Sequence, residues 1–185
     1  SDNNLQDYSG VKVSVYGKNL FSMENFLKLS DNENYYGTDE SGNMIIKNGD
    51  YRQDSLIPAF VKLPKGKYYI STSNLTSVKF KLINKTTGKI ICYSSNTEFN
   101  LSDNTEIGMK CYEANGTNIG KFQIEVGGES TDYEPFKSSQ TANAEIDGNV
   151  MGLMSISPNM TILNDAGLDI KCIYNVDTKK YIDNK

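Results

Sequence analysis

Between residues 44 and 126 apolar side chains return at every second position in short runs, and the runs are separated by Gly, Asn, Asp and Pro. A period of two is what a strand with one buried face requires. The runs at 44–47, 55–62, 66–73, 78–84, 89–94, 97–101, 106–112 and 120–126 are therefore predicted strands. Val11, Val13 and Val15 alternate with Lys12 and Ser14 and add an earlier strand at 11–16. Pro64 and Gly66 are placed to turn one strand into the next, and the polar run 84–88 closes a hairpin between two apolar ones. Strands spaced by roughly 8 to 12 residues with such turns indicate a β-sandwich. Residues 19–29 hold apolar side chains at 20, 21, 23, 26, 27 and 29, a pattern open to a short helix or a packed loop, and the loop is the expected form. Residues 31–43, dense in Asp, Asn, Gly and Ser, read as a long turn-rich connection. No long 3.6-residue stripe occurs, so the fold class is all-β with helix below about 10%.

The organisation follows from the same pattern. Residues 1–10 are polar and aperiodic and are read as a flexible leader; 11–136 form the sandwich. Residues 137–185 comprise a linker at 138–144 and a small β appendage with strands at 144–150, 152–157, 159–163 and 168–175. Some 40 residues are few for an independent core. Either the appendage packs on the sandwich or another chain completes it.

Charge and missing residue types narrow the chemistry. The 185 residues carry a formal charge of -4, with 19 basic side chains scattered among 23 acidic ones. This excludes a phosphate-tracking surface, so no nucleic-acid partner is expected. Lys79, Lys81, Lys85 and Lys89 come nearest to a cluster, and in strands joined by a turn they read as a solvated face. There is no histidine. Ser-His-Asp and Cys-His nucleophiles, histidine general bases and the usual zinc, copper and non-haem iron sites go with it. Two carboxylates would suffice for a glycosidase. None lies in apolar surroundings that would raise its pKa, and there is no phosphate-binding glycine loop, so the chain is expected not to be an enzyme. Cys92, Cys111 and Cys172 lie in apolar or alternating runs without CxxC spacing and read as buried thiols, in keeping with synthesis in a reducing cytoplasm. No apolar run approaches the roughly 20 residues of a membrane span.

Carbohydrate binding survives these exclusions. Sugars are held by aromatic faces and by amide, carboxylate and guanidinium side chains, and the chain has 12 Tyr, 7 Phe and no Trp. Tyr36, Tyr51 with Arg52, Tyr93, and Tyr112 with Glu113 and Asn115 lie at predicted strand ends or in loops where they could converge. They are the candidate ligand-binding residues, with Tyr51 and Arg52 foremost because a guanidinium beside a ring suits planar recognition. No cofactor or catalytic metal is expected. The oxygen-rich runs 31–34 and 39–43 could hold a structural calcium, although no Asp-x-Asp-x-Asp-Gly spacing is present.

Both ends of the sandwich carry recognisable motifs. Phe122, Ile124 and Val126 alternate with Gln123 and Glu125, then come Gly127-Gly128 and Tyr133-Glu134-Pro135-Phe136, while Gly17-Lys18-Asn19-Leu20-Phe21 stands near the start. The two runs resemble the closing and opening patterns of jelly-roll modules in bacteriophage tail and minor structural proteins. Residues 146–163 and 169–177 resemble the segment that often follows such modules. The resemblance implies a jelly-roll sandwich with a β-rich C-terminal appendage in a tail fibre or baseplate, made in the bacterial host cytoplasm and carried on the virion. It also implies other tail proteins as partners, host cell-wall or surface glycan as the ligand, and threefold association of the appendage. The alternative is a carbohydrate-binding or adhesion module of a bacterial surface or secreted protein.

Overall fold

The computed structural model describes residues 12–74 and 78–137 and four later strands. In chain order the strands are β1 (Lys12–Tyr16), β2 (Tyr36–Thr38), β3 (Met44–Ile46), β4 (Ala59–Leu63), β5 (Gly66–Thr72), β6 (Phe80–Asn84), β7 (Ile90–Cys92), β8 (Thr97–Leu101), β9 (Thr105–Cys111), β10 (Asn118–Gly120), β11 (Phe122–Val126), β12 (Gln140–Asn143), β13 (Thr161–Asn164), β14 (Cys172–Asn175) and β15 (Lys180–Asp183), with a helix α1 (Met23–Lys28) after β1. The protein is built mostly of antiparallel strands with little helix, as the alternation predicts. It divides into two compact units, Asn19–Phe136 and a second formed from both chain ends, Ser1–Lys18 with Lys137–Lys185.

Three sheets make up the Asn19–Phe136 unit, in strand orders β11-β5-β8, β4-β9-β6-β7 and β10-β3-β2. Their buried positions follow the two-residue period: Tyr68 and Ile70 on β5, Phe80 and Leu82 on β6, Ile107 and Met109 on β9, Phe122 and Ile124 on β11. Rings from the first two sheets meet where Phe80 packs edge-on to Phe122 at 6.1 Å. Phe21, from the segment before α1, touches Phe26, Phe60 and Phe122 and so joins helix, β4 and β11 in one apolar cluster.

Residues 23–28, expected as loop, are helical. Ser22 caps the helix, its Oγ accepting the Asn25 N–H at 3.1 Å, and Lys28 meets Glu24 one turn away at 2.7 Å. The burial of Phe26 supplies the tertiary reason for so short a helix. The turn-rich run 31–43 contains a 3-10 turn, Asn32–Asn34, and β2, which pairs with β3 through Tyr36↔Ile46. The strand expected from residue 55 starts only at Ala59: Asp54–Leu56 is a 3-10 turn, and Pro58 has no N–H to give to a ladder.

The strand expected to open the sandwich is present as β1, but its partners are β12 and β13, with Val13 opposite both Ala142 and Asn164. β12 occupies what reads as linker in the sequence. The appendage thus takes a central strand from the other end of its own chain. β14 and β15 pair separately, Ile173 opposite Ile182. The leader at 1–10 and the strands expected at 144–150 and 152–157 lie outside the described residues.

The two motifs at the ends of the Asn19–Phe136 unit are bonded to each other. Asn19 is buried, its Oδ1 accepting the N–H groups of Phe21 (2.9 Å) and Ile124 (3.2 Å). Its Nδ2 donates to the carbonyls of Phe122 (3.2 Å) and Glu134 (3.0 Å). The Leu20 N–H donates to the Ile124 carbonyl, so residues 19–20 satisfy the free edge of β11. Gln123 and Glu125 point away from the aromatic cluster and are covered by the exit segment. Glu125 accepts from the Thr131 N–H (3.2 Å) and hydroxyl (2.6 Å), and Gln123 Oε1 accepts from the Glu134 N–H at 2.9 Å.

Candidate functional site

Residues 49–58 form a strap over the outer face of the β4-β9-β6-β7 sheet, and its anchoring follows from Asp50. Asp50 is fully buried; its N–H donates to the Cys111 carbonyl at 3.1 Å. Its carboxylate accepts Arg52 Nε at 2.8 Å, Arg52 Nη2 at 2.7 Å and the Tyr36 hydroxyl at 2.8 Å. Arg52 also bonds Asp31 and, at 2.7 Å, Asn32, and its guanidinium lies 4.4 Å from the centre of the Tyr35 ring. The Asp50 hydrogen bonds hold the Arg52 pKa above its ordinary value. Tyr36 accepts the Cys111 N–H at 2.8 Å, and burial raises its phenol pKa far above the usual range.

Further along the strap, Lys110 Nζ donates to the Arg52 carbonyl and pairs with Asp54 at 2.7 Å, while Lys81 reaches Asp54 at 3.4 Å. The Lys110 ammonium in particular holds the Asp54 carboxyl below its ordinary pKa. Gly108 permits the crossing, since a Cβ there would lie 3.0 Å from the Pro58 carbonyl oxygen and 3.1 Å from Ile57.

Tyr51 stands between these anchored neighbours with 78% of its surface exposed. Its ring lies over Gly49, where a Cβ would come within 2.7 Å, and 6.3 Å from the Tyr112 ring at an interplanar angle of 37°. Around the pair, Asn115 Oδ1 accepts the Gly49 N–H at 3.2 Å, Tyr112 donates its N–H to the Lys79 carbonyl, and Glu113 accepts the Lys79 N–H at 2.7 Å. Phe80 lies opposite Cys111, and Leu82 opposite Cys92. By that register Tyr112 and Tyr93, each one residue past its strand, leave β9 and β7 on either side of β6, beside Lys79 and Lys81. Tyr93 is 62% exposed.

The expected site residues thus part company. Tyr51 and Tyr112 are brought together and Tyr93 is exposed just past β7, on the other side of β6, but Tyr36 and Arg52 are turned inward. Tyr36 is a core side chain against Phe26, with no face left for a ligand. Arg52 spends its donors on Asp50, Asp31 and Asn32. The oxygen-rich loops are also used internally: Asp31 and Asn32 bond Arg52, and Asp39 accepts from Ser41, Asn43 and Asn118. Among the described residues no group of three or more His, Cys, Asp or Glu side chains is placed for a metal ion, and no helix is long and apolar enough to cross a membrane. Sequence reasoning missed Asp50 and Gly49 as the residues that present Tyr51, and Lys79 as neighbour of Tyr112; only strand register reveals the latter.

The chain matches no protein-family model, no curated protein and no solved structure.

Proposed function

We propose that this protein is a non-enzymatic glycan-binding module of a phage tail fibre or baseplate, with Asn19–Phe136 as a jelly-roll sandwich and the Tyr51–Tyr112 surface as its ligand face. The observation that carries the reading is the exposed Tyr51 on an ion-paired strap, paired with the half-buried Tyr112 ring just past β9. Two rings inclined at 37° with polar groups at their rim suit the apolar faces and hydroxyls of a sugar. Holding an aromatic side chain open to water between two immobilised neighbours lowers the ordering cost of binding. The virion setting draws its support from the resemblance of the opening and closing motifs, joined here through Asn19. In a fibre, three copies would associate and weak single contacts would add through multivalency.

The test is adhesion of a multivalent display of the full chain to host cells or purified wall glycan. Tyr51→Ala and Tyr112→Ala should each lose most of the binding, while an exposed Glu129→Ala control keeps it. Equal adhesion by all three variants contradicts the proposal.

A further inference from the structure

Among the described residues, the atoms left without protein partners around the tyrosine pair are mostly donors. Asn115 uses Oδ1 on Gly49, which leaves its Nδ2 outward. The Tyr51 and Tyr112 hydroxyls and the exposed Lys79 ammonium add three more donor groups. Three of the nearby acids are already matched. Asp31, Asp50 and Asp54 are held by Arg52, Lys110 and Lys81, one cation for each carboxylate across the two clusters. Of the other charges, Lys85 lies at the far end of β6 and donates to the backbone carbonyls of Asp54 and Ser55, while beside the rings Lys79 is matched in number by Glu113, which accepts the Lys79 N–H. A chain of net charge -4 thus has a charge-balanced, donor-rich patch beside the Tyr51 and Tyr112 rings.

We propose that the ligand of the Tyr51–Tyr112 surface is an anionic saccharide, whose carboxylate, sulfate or phosphate is taken by Lys79 while the sugar ring stacks on the tyrosines. This rests on the glycan reading above and adds the charge class. A neutral sugar would use the rings and leave the Lys79 ammonium unused; an acidic one uses both. Lys79 is the residue that determines specificity, Tyr51 and Tyr112 those that bind.

The experiment is a glycan array of neutral hexose and N-acetylhexosamine oligosaccharides printed beside their uronic-acid, sulfated and phosphorylated counterparts, probed with the full chain on a multivalent carrier. The acidic member of a pair should bind roughly two- to fivefold more tightly per site, and the preference should fall as salt rises. Lys79→Gln should abolish the preference while keeping the neutral binding, and Tyr51→Ala should lose both. Equal binding to both members of every pair, or an acidic preference that survives Lys79→Gln, overturns the inference and leaves the glycan reading standing. Binding to neither member of any pair contradicts both. Binding of only one acidic group identifies the source of the charge.

Discussion

Arg52 grips Asp50 with two parallel bonds, Nε to Oδ1 at 2.8 Å and Nη2 to Oδ2 at 2.7 Å, and Tyr51 is the residue between them. The pair is buried, so its partners depend on each other more than a surface ion pair would. Removing Arg52 leaves Asp50 unmatched in a poorly solvated place, and removing Asp50 leaves Arg52 with Asp31 alone and the buried Tyr36 hydroxyl without its acceptor. Asp50→Ala should therefore destabilise the protein by about 3 kcal/mol or more, measured by urea unfolding. Arg52→Lys should also destabilise, though less, because a single ammonium cannot span Asp50, Asp31 and Asn32 together. Unchanged midpoints in both variants would contradict the clamp.

Asn19 makes a second prediction. Asn19→Ala would leave the Phe21 and Ile124 N–H groups without their acceptor and should cost about 2 to 4 kcal/mol. Asn19→Asp keeps the acceptor but sets a carboxylate against two carbonyls, so it should not rescue the fold. A chemical denaturation series on the two variants checks this, and near-native stability for Asn19→Asp would count against the arrangement.

The thiols offer a third. Burial pushes the Cys92 thiol up to about 11 and raises that of Cys111 well above its ordinary value. Near pH 8 only roughly one Cys92 in a thousand would be thiolate, the reactive form. Peptide mapping after brief iodoacetamide treatment should find both residues unlabelled in the native protein and fully labelled in denaturant. Rapid native labelling at Cys111 would contradict its burial.

Acid should weaken the fold. Asp54, held down by Lys110, and Asp39, held down by its hydrogen bonds to Asn43, have folded pKa values below their unfolded ones. For such groups the stabilisation is present above the unfolded pKa and is lost as pH falls through the folded one. Stability should thus be level above about pH 5 and decline below about pH 4. In Lys110→Met the decline attributable to Asp54 should shrink, which thermal melts across this range would reveal. An identical acid slope in the variant would contradict the assignment.

Most strands of the Asn19–Phe136 unit, β2 and β10 excepted, are readable from alternation because burial on one face writes itself into the residue pattern. Partners are not. Val11, Val13 and Val15 announce a strand but not that β1 pairs with β12 and β13, since register and partner choice depend on residues far away in the chain. The α1 helix is equally hidden: its apolar positions fit a loop as well, and Phe26 earns its place through tertiary packing. At the site, exposure was legible for Tyr51 and Tyr93 but not direction. Tyr36 and Arg52 look like surface recognition residues in sequence. Asp50, fourteen positions after Tyr36 and two before Arg52, draws both inward.

The central claim is that the exposed Tyr51 ring and the half-buried Tyr112 ring beside it meet the ligand while the buried tyrosines do not. The most direct measurement is a titration of the tyrosine-labelled protein with the best-binding array glycan, followed by ring resonances in NMR. The account predicts shifts confined to Tyr51, Tyr112 and neighbouring Tyr93, with Tyr36 and Tyr68 unmoved. Saturable binding that leaves Tyr51 and Tyr112 unshifted would contradict it.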